Sequence, residues 1–328
     1  MNAHQSGLLW GYLAHLGFNM WLDRPRTATS DPAIDQDIWF SDTLRFDDRL
    51  WADLTEELAR SGFTTVVIDL ADGVRYDSHP EIAVQRAWST RRLADELTRL
   101  RQLGLEPIPK LNFSASHDAW LRHYGRQVST EAYYRVAADL IAEVSALFGG
   151  ARFFHLGMDE ERIEDQRNQE SVTLRQFDLW WHDLEFLIAQ VQQSGPRPWV
   201  WSDHAWRHPD DFYRRMPKTV VQSNWYYYRE FQSSEAGRPR PLDGPDRYLA
   251  YLDLAEHGYE QIPTGSNWFN PENFGLTVDF CESRIASPRR LGYVQTSWRA
   301  TVEEHRAAHF EAIRVAAEAM DRHAAALT

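Results

Sequence analysis

Residues Ala151–Arg162, ARFFHLGMDEER, decide how the rest of this chain reads. They open as a short apolar run of strand type, Arg152–Leu156, and end in three consecutive acids, Asp159, Glu160 and Glu161. A buried strand that delivers carboxylates at its carboxyl end is how barrel enzymes place acid/base groups, because that rim is where loops open to solvent. Taken alone, an Asp-Glu pair reads equally as a cap on a following helix, since acids favour the positive end of a helix dipole. The other strand ends decide between the two.

Upstream, Leu8–Leu13 reads as a first strand, Thr64–Leu70 as a second and Glu106–Leu111 as a third. The helices Asp47–Ser61, Thr90–Leu103 and Thr130–Phe148 lie between and after them, the first two stopped by Gly62 and Gly104. Downstream come Leu174–Ser194 (helix), Trp199–Trp201 (strand), Asp210–Met216 (short helix) and Thr219–Ser223 (strand). Residues 229–246 read as a surface-loop insertion, Arg247–His257 as helix and Glu260–Gly265 as a weak strand. Glu272–Ala286 (helix), Leu291–Thr296 (strand) and a helix from Thr301 onward close the chain. Eight strands each followed by helix predict a single α/β domain over 1–328, an eightfold (β/α)8 TIM barrel. An open doubly wound sheet would want a glycine-rich phosphate turn, and neither GxGxxG nor a P-loop occurs.

Polar and aromatic residues gather at these strand exits. Asp69, Asn112, His117, Asp159, Glu160, Asp203, His204, Asn224, Trp225, Asn267, Trp268 and Trp298 all converge on one rim, which scattered caps would not do. Tyr226–Tyr228 alternate in and out, so one or two of them, with Tyr227 the candidate, face the pocket. Lys110 is expected to pair with a rim acid inside the barrel. His117 and His155 also read as structural histidines, and Asp203 as the closing residue of an Asx turn.

Composition narrows the chemistry. A net charge of −13 repels polyanions, so nucleic acid is not an expected partner. The single cysteine, Cys281, excludes an internal disulfide and a cysteine-based zinc cluster. No apolar run approaches the roughly 20 residues of a membrane span. The amino terminus carries no secretion signal as given, so a cytoplasmic location is expected. Fourteen tryptophans, each costly in a core because its indole N–H wants a partner, suggest that some form flat platforms for sugar rings while others fill a large barrel core. Paired carboxylates beside such platforms satisfy glycosidic cleavage, which needs a proton donor and a group that stabilises the oxocarbenium-like centre. The expected partner is an oligosaccharide or glycoside substrate, with no cofactor or metal and an undetermined oligomeric state.

HLGMDE resembles the H-x-G-x-D-E motif of the family-20 β-N-acetylhexosaminidases, with His155, Gly157, Asp159 and Glu160 at its fixed positions. PKLNFSASH is similar to a loosened form of that family's P-E-I-D-x-P-G-H, with His117 as the counterpart of its histidine, and Trp201 or Trp206, Trp225 and Trp298 resemble its pocket tryptophans. The resemblance implies a TIM barrel that cleaves N-acetylhexosaminides, exo-acting and with retention. Glu160 is then the general acid/base, and Asp159 orients the substrate's own acetamido nucleophile. Substrate contacts are expected from Asp203, His117, Asn112, Asp69, Trp201, Trp225, Tyr227, Asn267, Trp268 and Trp298. Three departures from the pattern are expected: the family's smaller domain before the barrel is not read in this sequence, no arginine stands on the first strand although Arg24 lies shortly after, and TSWRA lacks an acid just after Trp298. Two rival readings fit the same rim: a metal-dependent sugar isomerase or epimerase ligated by its acids and histidines, and a carbohydrate-binding barrel without catalysis.

Overall fold

Short β-branched and aromatic runs alternate with amphipathic ones, and in the computed structural model they become parallel strands wrapped by helices. The structure describes residues 7–231, 241–242 and 244–326. The strands are β1 (Leu9–His15), β2 (Thr65–Asp69), β3 (Glu106–Lys110), β4 (Phe153–His155), β5 (Arg197–Trp201), β6 (Val221–Ser223), β7 (Thr264–Ser266) and β8 (Gly292–Thr296). They pair in the order β6-β5-β4-β3-β2-β1-β8-β7. Two isolated parallel bridges, Gln222 to Gln261 and Trp225 to Thr264, join the ends of this order into a nearly closed ring. This is the predicted (β/α)8 TIM barrel.

The helices follow their capping chemistry. Helix α1 (Asp48–Arg60) starts where the Asp47 carboxylate accepts from Leu50 N at 2.8 Å and buries Leu50, Trp51, Leu54 and Leu58. Each such side chain contributes about 1.5–3 kcal/mol by leaving water. Helix α2 (Thr90–Gln102) is capped by Ser89 and α3 (Glu131–Phe148) by Thr130. The ring is completed by α4 (Asp178–Ser194), α5 (Pro209–Arg215), α6 (Ala250–Glu256), α7 (Asn273–Arg284) and α8 (Arg306–Ala326). Among the described residues, no helix is long and apolar enough to cross a membrane.

The structure differs from expectation in a few segments. Helix α4 begins at Asp178, not Leu174, because Phe177 takes φ 52° and ψ −126°. The expected helix Arg247–His257 splits into a 3-10 stretch, Gly244–Leu249, and α6. Regular pairing in the seventh strand is confined to Thr264–Ser266, next to Pro263, which has no N–H to give. Unforeseen features are a two-residue parallel pair, Val74–Arg75 with Trp88–Ser89, and a 3-10 stretch over Ala119–Gln127. Most of the insertion expected at 229–246 lies outside the described residues.

The barrel interior carries apolar layers, including Leu9, Leu13, Val67, Ile108, Phe153, Trp199 and Val294. Above them the register sets four polar residues side by side: His15 opposite Asp69, Asp69 opposite Lys110, and Lys110 opposite His155. Residues in register on parallel strands share a face, so all four point inward. The Lys110 ammonium donates to the Asp69 carboxylate with both side chains out of water, and His15 Nδ1 lies 3.4 Å from the same carboxylate. Burial works against the charged form of Asp69, but Lys110 and His15 outweigh it and hold the carboxyl below its ordinary range.

Removing one partner of a buried ion pair leaves the other charge uncompensated. Lys110→Met should therefore destabilise the fold by about 3–5 kcal/mol in urea unfolding, and adding Asp69→Asn should recover much of that loss. A single variant as stable as the parent would show that the pair does not support the barrel.

Candidate functional site

The exit of β4 is built around a position that only glycine can fill. Gly157 has φ +73°, and a Cβ there would sit 1.9 Å from Asn112 Oδ1. The chain next passes through two non-glycine residues at positive φ, Met158 at 74° and Glu160 at 57°. Each costs on the order of 1 kcal/mol or more and persists only if its surroundings impose it. Here the β3 exit imposes it. Asn112 Oδ1 accepts from Met158 N (3.2 Å) and Ser114 N (3.0 Å), while Nδ2 donates to Asp159 Oδ1 at 2.8 Å. The Ser114 and Ser116 hydroxyls donate to the backbone carbonyls of Asp159 and Glu160.

The three acids part company. Glu161 accepts from Ala115 N (3.0 Å) and pairs with the buried Arg175, which also reaches Asp183, so it anchors the loop. Asp159 and Glu160 face His117, whose Nε2 lies 3.4 Å from Asp159 Oδ2 and 3.2 Å from Glu160 Oε2. The Asp159 side chain is 11% exposed and that of Glu160 28%, so Glu160 is the more open. From β5, Asp203 Oδ2 accepts the Glu160 N–H at 2.9 Å.

Charge in this dry mouth is arranged around His117. Burial alone would lower its pKa, but the Asp159 charge and the Glu160 hydrogen bond raise it to about 9. Burial raises Asp159, with the imidazolium pulling the other way. Burial also opposes ionisation of Glu160, yet the His117 bond, with Arg162 and Arg247 nearby, brings it below its ordinary value. Asp203 is pushed up to about 8, by burial first and by the Asp159 charge second. At neutral pH the resting proton of the His117–Glu160 pair therefore sits on the imidazole.

Aromatic rings wall the opposite side. Trp225 and Tyr227 stack at 5.3 Å, Tyr227 lies 6.4 Å from Trp298, and Trp298 lies 5.9 Å from Trp201. Burial holds the Tyr227 phenol well above its ordinary pKa, against the Trp298 indole and with the three site carboxylates, so it remains a donor. His155 lies beneath, between Trp199 and Trp201, and burial keeps it neutral.

Of the expected site residues, the structure brings together Asn112, His117, Asp159, Glu160, Asp203, Trp201, Trp225, Tyr227 and Trp298. Three others are placed elsewhere. Asp69 is fully buried and taken by Lys110 and His15. Asn267 donates to Ala308 O and Glu311 on α8 (3.0 and 2.9 Å). Trp268 lies at the outer edge under the Arg299 guanidinium, 4.0 Å from its ring. The sequence reading passed over Trp21, which packs edge-on to His117 at 4.8 Å and lies 6.4 Å from Trp298. It follows β1, and the strand-exit rule that picked the other tryptophans would have found it. Arg247, whose guanidinium lies over the Trp206 ring, had no comparable signal.

His117, Asp159 and Glu160 also offer donor atoms all within 4.8 Å of one another, a set able to hold a divalent ion.

A parallel barrel with a carboxylate-imidazole cluster at its carboxyl rim defines the class. No protein-family model matches the chain, and no curated protein matches it. Solved structures do. A β-N-acetylhexosaminidase from Bacteroides fragilis matches with a TM-score of 0.63 at 14% identity, over 95% of this chain and 65% of that one. A catalytic module of the pneumococcal exo-β-D-N-acetylglucosaminidase StrH matches at 0.59 and 14%, over 97% and 86%. A Flavobacterium johnsoniae chitobiase matches at 0.56 and 14%, over 82% of this chain and 48% of that one, so the chain spans about half its length. The chain shares the barrel fold of these family-20 structures, in divergent form.

Because folding raises the His117 pKa, the stability it contributes is full below the unfolded value near 6.5 and is lost as pH rises through 9. The destabilisation caused by His117→Asn should thus be largest near pH 6 and shrink by pH 9.5 in denaturant titrations. A difference independent of pH over this range would refute the raised imidazole.

Proposed function

We propose that this protein is a glycoside hydrolase that removes terminal N-acetylhexosamine residues, with Glu160 as general acid/base and Asp159 as the group that orients the substrate's acetamido nucleophile. One observation carries the reading: the most open carboxylate of the cluster, Glu160, is hydrogen-bonded at 3.2 Å to the His117 imidazole, which holds its proton up to about pH 9. The likeness to solved hexosaminidases supports it. One of these, a Vibrio harveyi exo-β-N-acetylglucosaminidase with 14% identity and a TM-score of 0.59, was solved with N-acetylglucosamine bound.

The steps follow from the charges. Glycosidic cleavage needs a proton at the leaving oxygen, and His117 Nε2 can pass its proton to Glu160 Oε2 and through it to that oxygen. Asp159 stays beside the developing positive charge, held by Asn112. The site oxygens of Asp159 and Glu160 lie within 4.8 Å, closer than the roughly 6.5–9.5 Å between carboxyl groups that leaves room for water in an inverting pair. That spacing disfavours an inverting pair. Asp203, neutral at pH 7 and bonded to the Glu160 N–H, holds the turn and offers a hydroxyl ligand.

The same donor set favours a second reading, sugar isomerisation at a metal held by His117, Asp159 and Glu160. That reading requires activity to vanish with EDTA and return with a divalent ion.

A panel of aryl glycosides tests the assignment. Hydrolysis of the N-acetylglucosaminide or N-acetylgalactosaminide but not of the plain glucoside is expected, with kcat reduced about 10²–10⁴-fold by Glu160→Gln. The basic limb of the rate profile should fall near pH 9, where His117 loses its proton. Equal hydrolysis of plain and N-acetylated substrates would remove the acetamido step, and full activity of Glu160→Gln would remove the donor.

A further inference from the structure

A cavity opens beside Glu160. It encloses about 600 Å³ between the loop leaving β4 and the turn after β5, and Glu160, Arg162, Phe177, Trp180, Asp203 and His204 are among the residues lining it. Glu160 and Asp203 line it, whereas none of the wall residues Trp201, Trp225, Tyr227 and Trp298 does. A proton donor stands between the sugar being released and the group it leaves. A cavity bordered by that donor is where the departing group of a glycosidic bond would sit.

Phe177 marks its outer edge. Its side chain is 87% exposed, and its backbone, at φ 52° and ψ −126°, lies in a region that L residues seldom adopt. An exposed phenyl ring held by an unfavourable backbone is a feature that folding alone does not explain. Ile163, 57% exposed, is a second apolar side chain in the lining. On the inner side, the rings of Trp180 and His204 stack at 3.9 Å and 6°, with His204 kept neutral by burial. With Asp203 holding its proton, five other acids against three guanidinium groups surround the space, which disfavours an anion.

We propose that this cavity is the leaving-group site and takes an uncharged ring with a flat apolar face, the second sugar of an oligosaccharide, with Phe177 as its platform. The proposal rests on the reading of Glu160 as proton donor. Phe177 is exposed, so its replacement leaves the core intact.

The experiment compares a β-linked N-acetylglucosamine disaccharide, which has a ring to place here, with N-acetylglucosaminyl fluoride, which has none. In Phe177→Ala the ratio of kcat/KM for the disaccharide to that for the fluoride should fall about tenfold, the scale of one aromatic contact, and Phe177→Tyr should restore it. A disaccharide ending in a uronic acid should be cleaved more slowly than the neutral one. An unchanged ratio overturns the proposal, and equal rates overturn its charge selectivity. Calorimetry of the disaccharide on Glu160→Gln, with and without Phe177→Ala, separates the two levels. Phe177-dependent binding without turnover by the wild type keeps the cavity and sinks the hydrolase. Turnover with an unchanged ratio does the reverse, and neither binding nor turnover sinks both.

Discussion

Placing several carboxylates in the dry mouth of a barrel is the constraint to which the rest of this structure answers. An unpaired buried charge is costly, and the chain meets that cost at two depths. Lys110 neutralises Asp69 inside the ring, and above it His117 stands between Asp159 and Glu160. Asp203 has no such cation and responds by holding its proton, with a pKa of about 8. The cluster therefore holds carboxyl groups of opposite protonation a few ångströms apart, which is the condition for acid/base work.

Geometry and charge reinforce each other through Asn112. Its amide fixes the turn that carries Met158 and Asp159, and it does so without adding a charge to a crowded site. An aspartate there could accept from Met158 but could not donate to Asp159, and two carboxylates would face each other. The bond to Asp159 is thus a reason for the amide in LNF, where the related sequence pattern has an acid.

Much of this was legible in the sequence, for physical reasons. Period-two and 3.6-residue patterns locate strands and helices independently of tertiary context, so the barrel and its rim follow from them. The pairing of Lys110 with a rim acid follows from the cost of a lone buried ammonium. Depth and direction do not follow. Asp69 and Asp159 both end strands, but only register reveals that one lies a layer lower against Lys110. Asn267 looks like a rim residue until α8 offers it two acceptors. Glu161 is indistinguishable from Glu160 in DEE until Arg175, distant in sequence, takes it out of play.

The ring is not equally strong all round. Five-residue ladders join β1 to both of its neighbours, whereas β6 and β7 meet through scattered single bridges. Trp225 forms one of those bridges, and Tyr227 stacks upon it. Half of the aromatic wall thus rides on that thin seam, while Asp159 and Glu160 follow β4, two strands away from β6 in the ring. Opening at that seam would move Trp225 and Tyr227 and so change the width of the pocket they wall.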